Sequence, residues 1–213
     1  MAGARIKYVV EEVYGRYVGI GLNGREFYCN TIPLPSKAEA EADLRATCYS
    51  AWGDSIEMAQ EYHIPLAYEL AITVNKLFGG EEVDLSWIKL ARHPREKFWR
   101  AILLMRAIPR GRVTTYGELA RAVGTSPRAA GNYASRNPFP LIVPCHRVIR
   151  SDMRIGGYSY GPILKASLLI SEGVRVDLDT GKVDPARVMR SEELLSIEEV
   201  RNLVGYHQTR LRI

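Results

Sequence analysis

The hydrophobic spacing of this chain changes period partway along, and that change demands two different kinds of folding unit. Near the start, Ile6, Tyr8 and Val10 alternate with Lys7 and Val9, the period of a half-buried strand. A second run follows from Tyr14 to Ile20. Asn23-Gly24 then supplies the two-residue turn that best matches the twist of an antiparallel hairpin. Residues 26–29 form the expected returning strand, ended by Pro33 and Pro35. Ser36, with Glu39 three positions on, is a capping box that opens a helix. Residues 54–79 read as one or two further helices, broken near Pro65 and stopped by Gly79-Gly80. Acidic residues 81–84 and Leu85 look like a linker. From Pro94 the spacing is helical, with Phe98, Ile102, Met105 and Ile108 on one stripe. The expected organisation is a small α/β domain over 1–85, a mostly helical domain over 86–173 and an extension over 174–213. Within the extension, residues 174–177 and 181–183 suggest a hairpin, and 192–204 a helix. No role follows for it from these residues.

Charge divides along the same line. Residues 1–85 carry 7 basic and 13 acidic side chains, a net of −6. Residues 86–155 carry 14 basic and 3 acidic, a net of +11, and the remainder is balanced. Such asymmetry points to a polyanion, nucleic acid above all, as the partner of the second half. No stretch approaches the roughly 20 apolar residues of a membrane span. The first residues also lack the basic start, long apolar run and cleavage site of a signal peptide. A soluble, cytoplasmic monomer with no membrane partner is the expectation. The three cysteines, Cys29, Cys48 and Cys145, are too few and odd in number for a disulfide scaffold. Cys29 and Cys48 still have the option of pairing if the source is a hyperthermophile. The cations, 22 Arg against 7 Lys, lean weakly that way.

Thr115 caps a helix over 116–123, Gly124-Thr125 makes a short turn, and Ser126 caps again with Pro127 at the first helical position. Helix, glycine turn, helix is the outline of a helix-turn-helix, with residues 128–136 as the second helix. That second helix is unusual, because Ala129, Ala130, Gly131, Ala134 and Ser135 are all small. Major-groove readers present long polar side chains. Small residues suit either a close approach to a narrow minor groove or tight packing on another helix. Arg128 sits at the helix start, positioned to project past its end.

Residues 137–149 hold three prolines ahead of the polar triplet Cys145-His146-Arg147, inside an apolar and rigid segment. A free thiol ionises near pH 8.5, and an imidazole and a cation nearby raise the thiolate fraction. Neighbouring side chains on a strand point to opposite faces. Contact between Cys145 and His146 therefore requires a kink at Pro144 or a third group, such as water, as relay. His63, His93, His146 and His207 have no ligand spacing with the cysteines, so a zinc site is not expected. Residues 155–161 form a glycine-rich aromatic loop, with backbone able to approach a flat ligand and tyrosines able to stack on it. Pro162 opens a helix that stops at Gly173, and Lys165 and Glu172 share one face of it.

Pro144-Cys-His-Arg147, with Asn137-Pro138 before it and Gly156-x-Tyr-Ser159 after it, resembles the O6-alkylguanine-DNA alkyltransferases, the methylated-DNA–protein-cysteine methyltransferases. The likeness runs from Phe98 through Ile108-Pro-x-Gly111, Tyr116-Gly-x-Leu-Ala120 and Arg128-Ala-x-Gly131 to Leu168-Leu-x-x-Glu172-Gly173, about 75 residues. It implies a ribonuclease-H-like α/β domain ahead of the helical one. It also implies a DNA repair protein that flips O6-alkylguanine out of double-stranded DNA and moves the alkyl group irreversibly to Cys145. By the same resemblance, His146 activates Cys145 through water, Glu172 orients His146, and Asn137 holds the turn that brings the helix to the reactive segment. Tyr116, Tyr158, the Ser159 N–H and the carbonyls of Cys145 and Val148 contact the base, and Lys165 supports the pocket. Arg128 enters the base stack while Ala129, Gly131 and Ser135 lie in the minor groove. No cofactor and no metal are implied.

The chain departs from the family's common pattern at Trp99, Leu103 and Tyr160, the last a bulky residue expected to narrow the pocket. Two other readings compete. An alkyltransferase-like lesion-binding protein lacks the cysteine that is present here. A transcription factor using the helix-turn-helix alone leaves the Cys145 segment and the aromatic loop without a purpose.

Overall fold

The computed structural model describes residues 4–196, which group into two units. The first unit runs to His93 and takes in Arg136–Ile142; the second holds Pro94–Ser135 and the chain from Val143 onward. Residues 136–142 thus group with the sheet unit.

In the first unit, strand β1 (Ala4–Val13) pairs antiparallel with β2 (Arg16–Asn23), which pairs with β3 (Glu26–Asn30) across the expected Asn23-Gly24 turn. A fourth strand, β4 (Ile56–Gln60), runs parallel to β1, from Ala4 opposite Ile56 to Tyr8 opposite Gln60. The sheet order is β3-β2-β1-β4. β4 corrects the helical reading of residues 54–79, of which α2 (Pro65–Phe78) is the α-helical part. Glu57, Met58, Ala59 and Gln60 all favour helix in isolation. The free edge of β1 overrides that preference.

Helix α1 (Lys37–Trp52) begins where Ser36 Oγ accepts from the Glu39 N–H. It lies so close to β2 that a Cβ on Gly19 would meet Leu44 Cβ at 2.9 Å. Cys29 of β3 and Cys48 of α1 form a disulfide with a Cα separation of 5.6 Å, which resolves the pairing left open by sequence. The 136–142 segment is stitched to β3: Asn30 N–H donates to Pro138 O at 3.0 Å, and Asn30 Nδ2 to Pro140 O at 2.9 Å.

The second unit contains helix α3 (Glu96–Arg106), strand β5 (Val113–Thr115), helices α4 (Tyr116–Val123) and α5 (Pro127–Ser135), strand β6 (Val148–Ile149) and helix α6 (Pro162–Ser171). β7 (Val188–Met189) and α7 (Ser191–Ser196) complete it. Thr115 Oγ1 caps α4 by accepting from Glu118 N–H, and Gly124 closes it in the left-handed conformation, φ 76°. Ser126 Oγ caps α5 through the Ala129 N–H.

β5 is the centre of a parallel sheet ordered β6-β5-β7. The extension therefore supplies a strand, and its hairpin forms with Val176 opposite Val183. Val174 and Val183 join Val113, Ile149 and Leu169 in one buried cluster. Residues 197–204 of the helix expected there lie outside the described residues. No helix among the described residues is long and apolar enough to cross a membrane.

Candidate active site

Pro144 (φ −78°, ψ 65°) leads into Cys145–Arg147, which form one turn of 3-10 helix. The kink at Pro144, one of the two alternatives above, is present: the triplet shares a tight turn, so its side chains are not forced to opposite faces. Cys145 is half-buried and is not disulfide-bonded. His146 is buried, 1% exposed. The backbone N–H of Val148 donates to the Cys145 carbonyl, closing the turn onto β6.

Glu172, at the end of α6, meets this turn from the other side. His146 Nε2 lies 2.9 Å from Glu172 Oε1. Arg147 donates to both carboxylate oxygens of Glu172, each at 2.8 Å, and to the Ile108 carbonyl. Burial alone would raise the Glu172 carboxyl, but hydrogen bonds from His146 and Arg147 outweigh it and hold the group at about 2. Burial pushes His146 below its ordinary value, outweighing the carboxylate. The ionised Glu172 carboxylate only accepts, so His146 donates to it from Nε2. Its other nitrogen, Nδ1, is buried and has no hydrogen-bond partner among the described residues.

Cys145 opens onto a cavity of about 330 Å³ lined also by Tyr116, Gly131, Ala134, Ser135, Gly157, Tyr158 and Ser159. Gly131 faces the Tyr116 ring: a Cβ there would stand 3.9 Å from Cδ1. Lys165 is fully buried and donates from Nζ to Val148 O at 2.7 Å and Gly157 O at 3.2 Å. It thereby ties the strand after Cys145 to the aromatic loop, with the Tyr116 ring centroid 5.8 Å away. Burial lowers Lys165 to about 8, and the Cys145 charge opposes that shift. Tyr158 lies edge-on to His146 at 6.4 Å and to Tyr160 at 5.6 Å.

Of the expected residues, Cys145, Tyr116, Gly131, Ser135, Tyr158 and Ser159 meet at this cavity, with His146, Glu172, Lys165 and Val148 directly behind it. Arg128 and Ala129 stand at the start of α5, where Arg128 is exposed and makes no ion pair among the described residues. Asn137 is buried in the first unit, and its Oδ1 accepts from Phe139 N–H at 3.0 Å. The sequence reading assigned no task to Arg147. Its place beside Cys145-His146 was visible, but the bidentate grip on Glu172 depends on where α6 ends.

Residues 95–174 match the model of the 6-O-methylguanine DNA methyltransferase DNA-binding domain. The methylated-DNA–protein-cysteine methyltransferase of Methanothermobacter thermautotrophicus is 39% identical over 139 residues, covering 59% of this chain and 79% of that protein. The chain belongs to the methylated-DNA–protein-cysteine methyltransferase family. The Methanocaldococcus jannaschii methyltransferase is 32% identical over 160 residues, 73% of this chain and 87% of its own length. Among solved structures, the O6-methylguanine-DNA methyltransferase of Pyrococcus kodakaraensis is similar with a TM-score of 0.59 at 31% identity, over 79% of this chain and 99% of that one. The methyltransferase domain match ends at Val174, so β7 and α7 lie beyond it.

Proposed function

We propose that this protein repairs DNA by flipping O6-alkylguanine from the duplex into the cavity and accepting the alkyl group on Cys145, once per molecule. The observation that carries the reading is the buried Glu172–His146 pair beside the cavity-facing Cys145. Glu172 holds the Nε2 proton, which leaves the Nδ1 lone pair as the basic site. A water between Nδ1 and Cys145 passes the thiol proton to His146, and the sulfur attacks the alkyl carbon. The C–O bond breaks, its electron pair stays on the guanine oxygen, and the proton returns to the guanine. The thioether is stable, and the reading includes no step that cleaves it.

The other residues have roles in holding the base. O6 is buried in the duplex, and extrusion of a nucleotide costs a few kcal/mol. Arg128, exposed at the start of α5, fills the vacated stack, while Ala129, Gly131 and Ser135 let α5 approach the minor groove as the second helix of a helix-turn-helix. Tyr116 and Tyr158 contact the base, and the Ser159 N–H donates to its oxygen. The Cys145 and Val148 carbonyls accept from the exocyclic amine. Lys165 supports the loop, and Asn137 braces the segment leading to Pro144. The first unit, with an antiparallel hairpin sheet extended by a parallel fourth strand, fits a ribonuclease-H-like domain, and the protein acts as a monomer. The alternative, lesion binding without transfer, is not favoured because Cys145 occupies the reactive position.

Intact mass after incubation with a duplex containing O6-methylguanine tests the proposal. The expected result is one added methyl on Cys145, absent in Cys145→Ala. Tight binding with no added mass contradicts it.

A further inference from the structure

The extension beyond Gly173 grips one short stretch of chain repeatedly. Arg112 donates from Nε to Arg187 O at 3.2 Å and pairs with Glu193 at 3.0 Å. Thr114 Oγ1 donates to Met189 O at 2.9 Å. Glu118 accepts from the Ser191 N–H at 2.9 Å. Between Thr114 and Glu118 lies Tyr116, which lines the cavity with Cys145. Because β5 is central in its sheet, β6 with the Cys145 turn holds one side of this stretch and the extension holds the other.

Glu118 is the informative member. Thr115-Tyr-Gly-Glu118 is a capping-box pattern, in which the glutamate ordinarily reaches back to the cap residue's N–H. Here its backbone N–H makes the cap, while its carboxylate turns to Arg121 and to the first residue of α7. The side chain is 16% exposed, and Ser191 is 5% exposed. A charge-assisted bond in such a place outweighs an ordinary surface contact. It joins α7 to the same helical turn that carries Tyr116.

We infer that Glu118 is a positioning residue, coupling the C-terminal extension to Tyr116 and so setting the place of Tyr116 in the cavity for alkyl transfer. This rests on the proposed roles of Cys145 and Tyr116. The test is single-turnover transfer from an O6-methylguanine duplex, separating the rate constant at saturating duplex from duplex affinity, with unfolding temperature measured alongside. E118A is expected to lower the saturating rate about tenfold, a loss of one partly realised transition-state contact, with affinity within about twofold. E118Q keeps an acceptor oxygen for Ser191 and stays within about twofold of the parent rate. S191P removes the donor at a position where a helix tolerates proline, and reproduces the E118A loss. Should E118A fail to fold, S191P carries the same test.

A purely structural role predicts a lower unfolding temperature with an unchanged rate, and that result overturns the inference. So does an E118Q as slow as E118A. If the parent protein gains no methyl at all, the proposed function and this inference fall together. Normal parental transfer beside unimpaired E118A and S191P overturns the inference alone.

Discussion

At the scale of residues, the site is a set of constraints on one imidazole. Glu172 takes one nitrogen of His146, Arg147 holds Glu172 through both oxygens, and burial pushes the imidazole below its ordinary value. The Cys-His-Arg triplet that follows Pro144 was legible in sequence as a reactive segment. The route from Cys145 to His146 was not, because it depends on whether residue 145 begins a strand or a turn. The pH dependence has a definite sign. Glu172 is held at about 2, below its unfolded value of 4.5, so its stabilisation is complete above about 4.5 and is lost as pH falls toward 2. His146 is depressed from 6.5, and stability likewise declines as pH falls below that value. Glu172→Gln should cost on the order of 3 kcal/mol at neutral pH and flatten the lower window. Urea unfolding between pH 2 and pH 7 checks this; parallel curves for both proteins would contradict it.

At the scale of elements, the capped helices were readable because their signals are local: Thr115 and Ser126 at the starts, Gly124 at a left-handed stop. β4 was not readable, because its residues favour helix and only the edge of β1 makes them a strand. β7 was hidden for a related reason. Two residues leave no periodicity to read, and their place beside β5 is set by packing. The extension is nevertheless part of the core behind β5 and β6. Val183, 3% exposed in that cluster, is expected to lose about 2 kcal/mol of stability on substitution by alanine, through transfer and cavity terms together. A denaturant midpoint unchanged in Val183→Ala would mean that the extension packs loosely.

At the scale of the whole molecule, the basic excess of residues 86–155 led toward nucleic acid before any motif did. Part of that charge is spent internally: Arg147 pairs with Glu172, and Arg112 with Glu193, both acids from beyond the segment. Arg128 is exposed. Sulfur chemistry is divided as well. Cys29 and Cys48 are bonded and fully buried, whereas Cys145 is half-buried beside the cavity. The bond joins residues 19 apart, a loop for which the chain-entropy model gives about 3 kcal/mol. Cys29→Ala should therefore lower the unfolding temperature while leaving methyl transfer to Cys145 intact at moderate temperature. Loss of transfer in a folded Cys29→Ala protein would contradict that separation.

If Cys145 accepts the alkyl group for good, each molecule reacts once. The most direct measurement gives excess O6-methylguanine duplex to a known quantity of protein and counts methyl groups moved as the reaction reaches its plateau. The expected plateau is one methyl per molecule, all of it on Cys145. A plateau above one, or restored guanine with Cys145 unmodified, would contradict it.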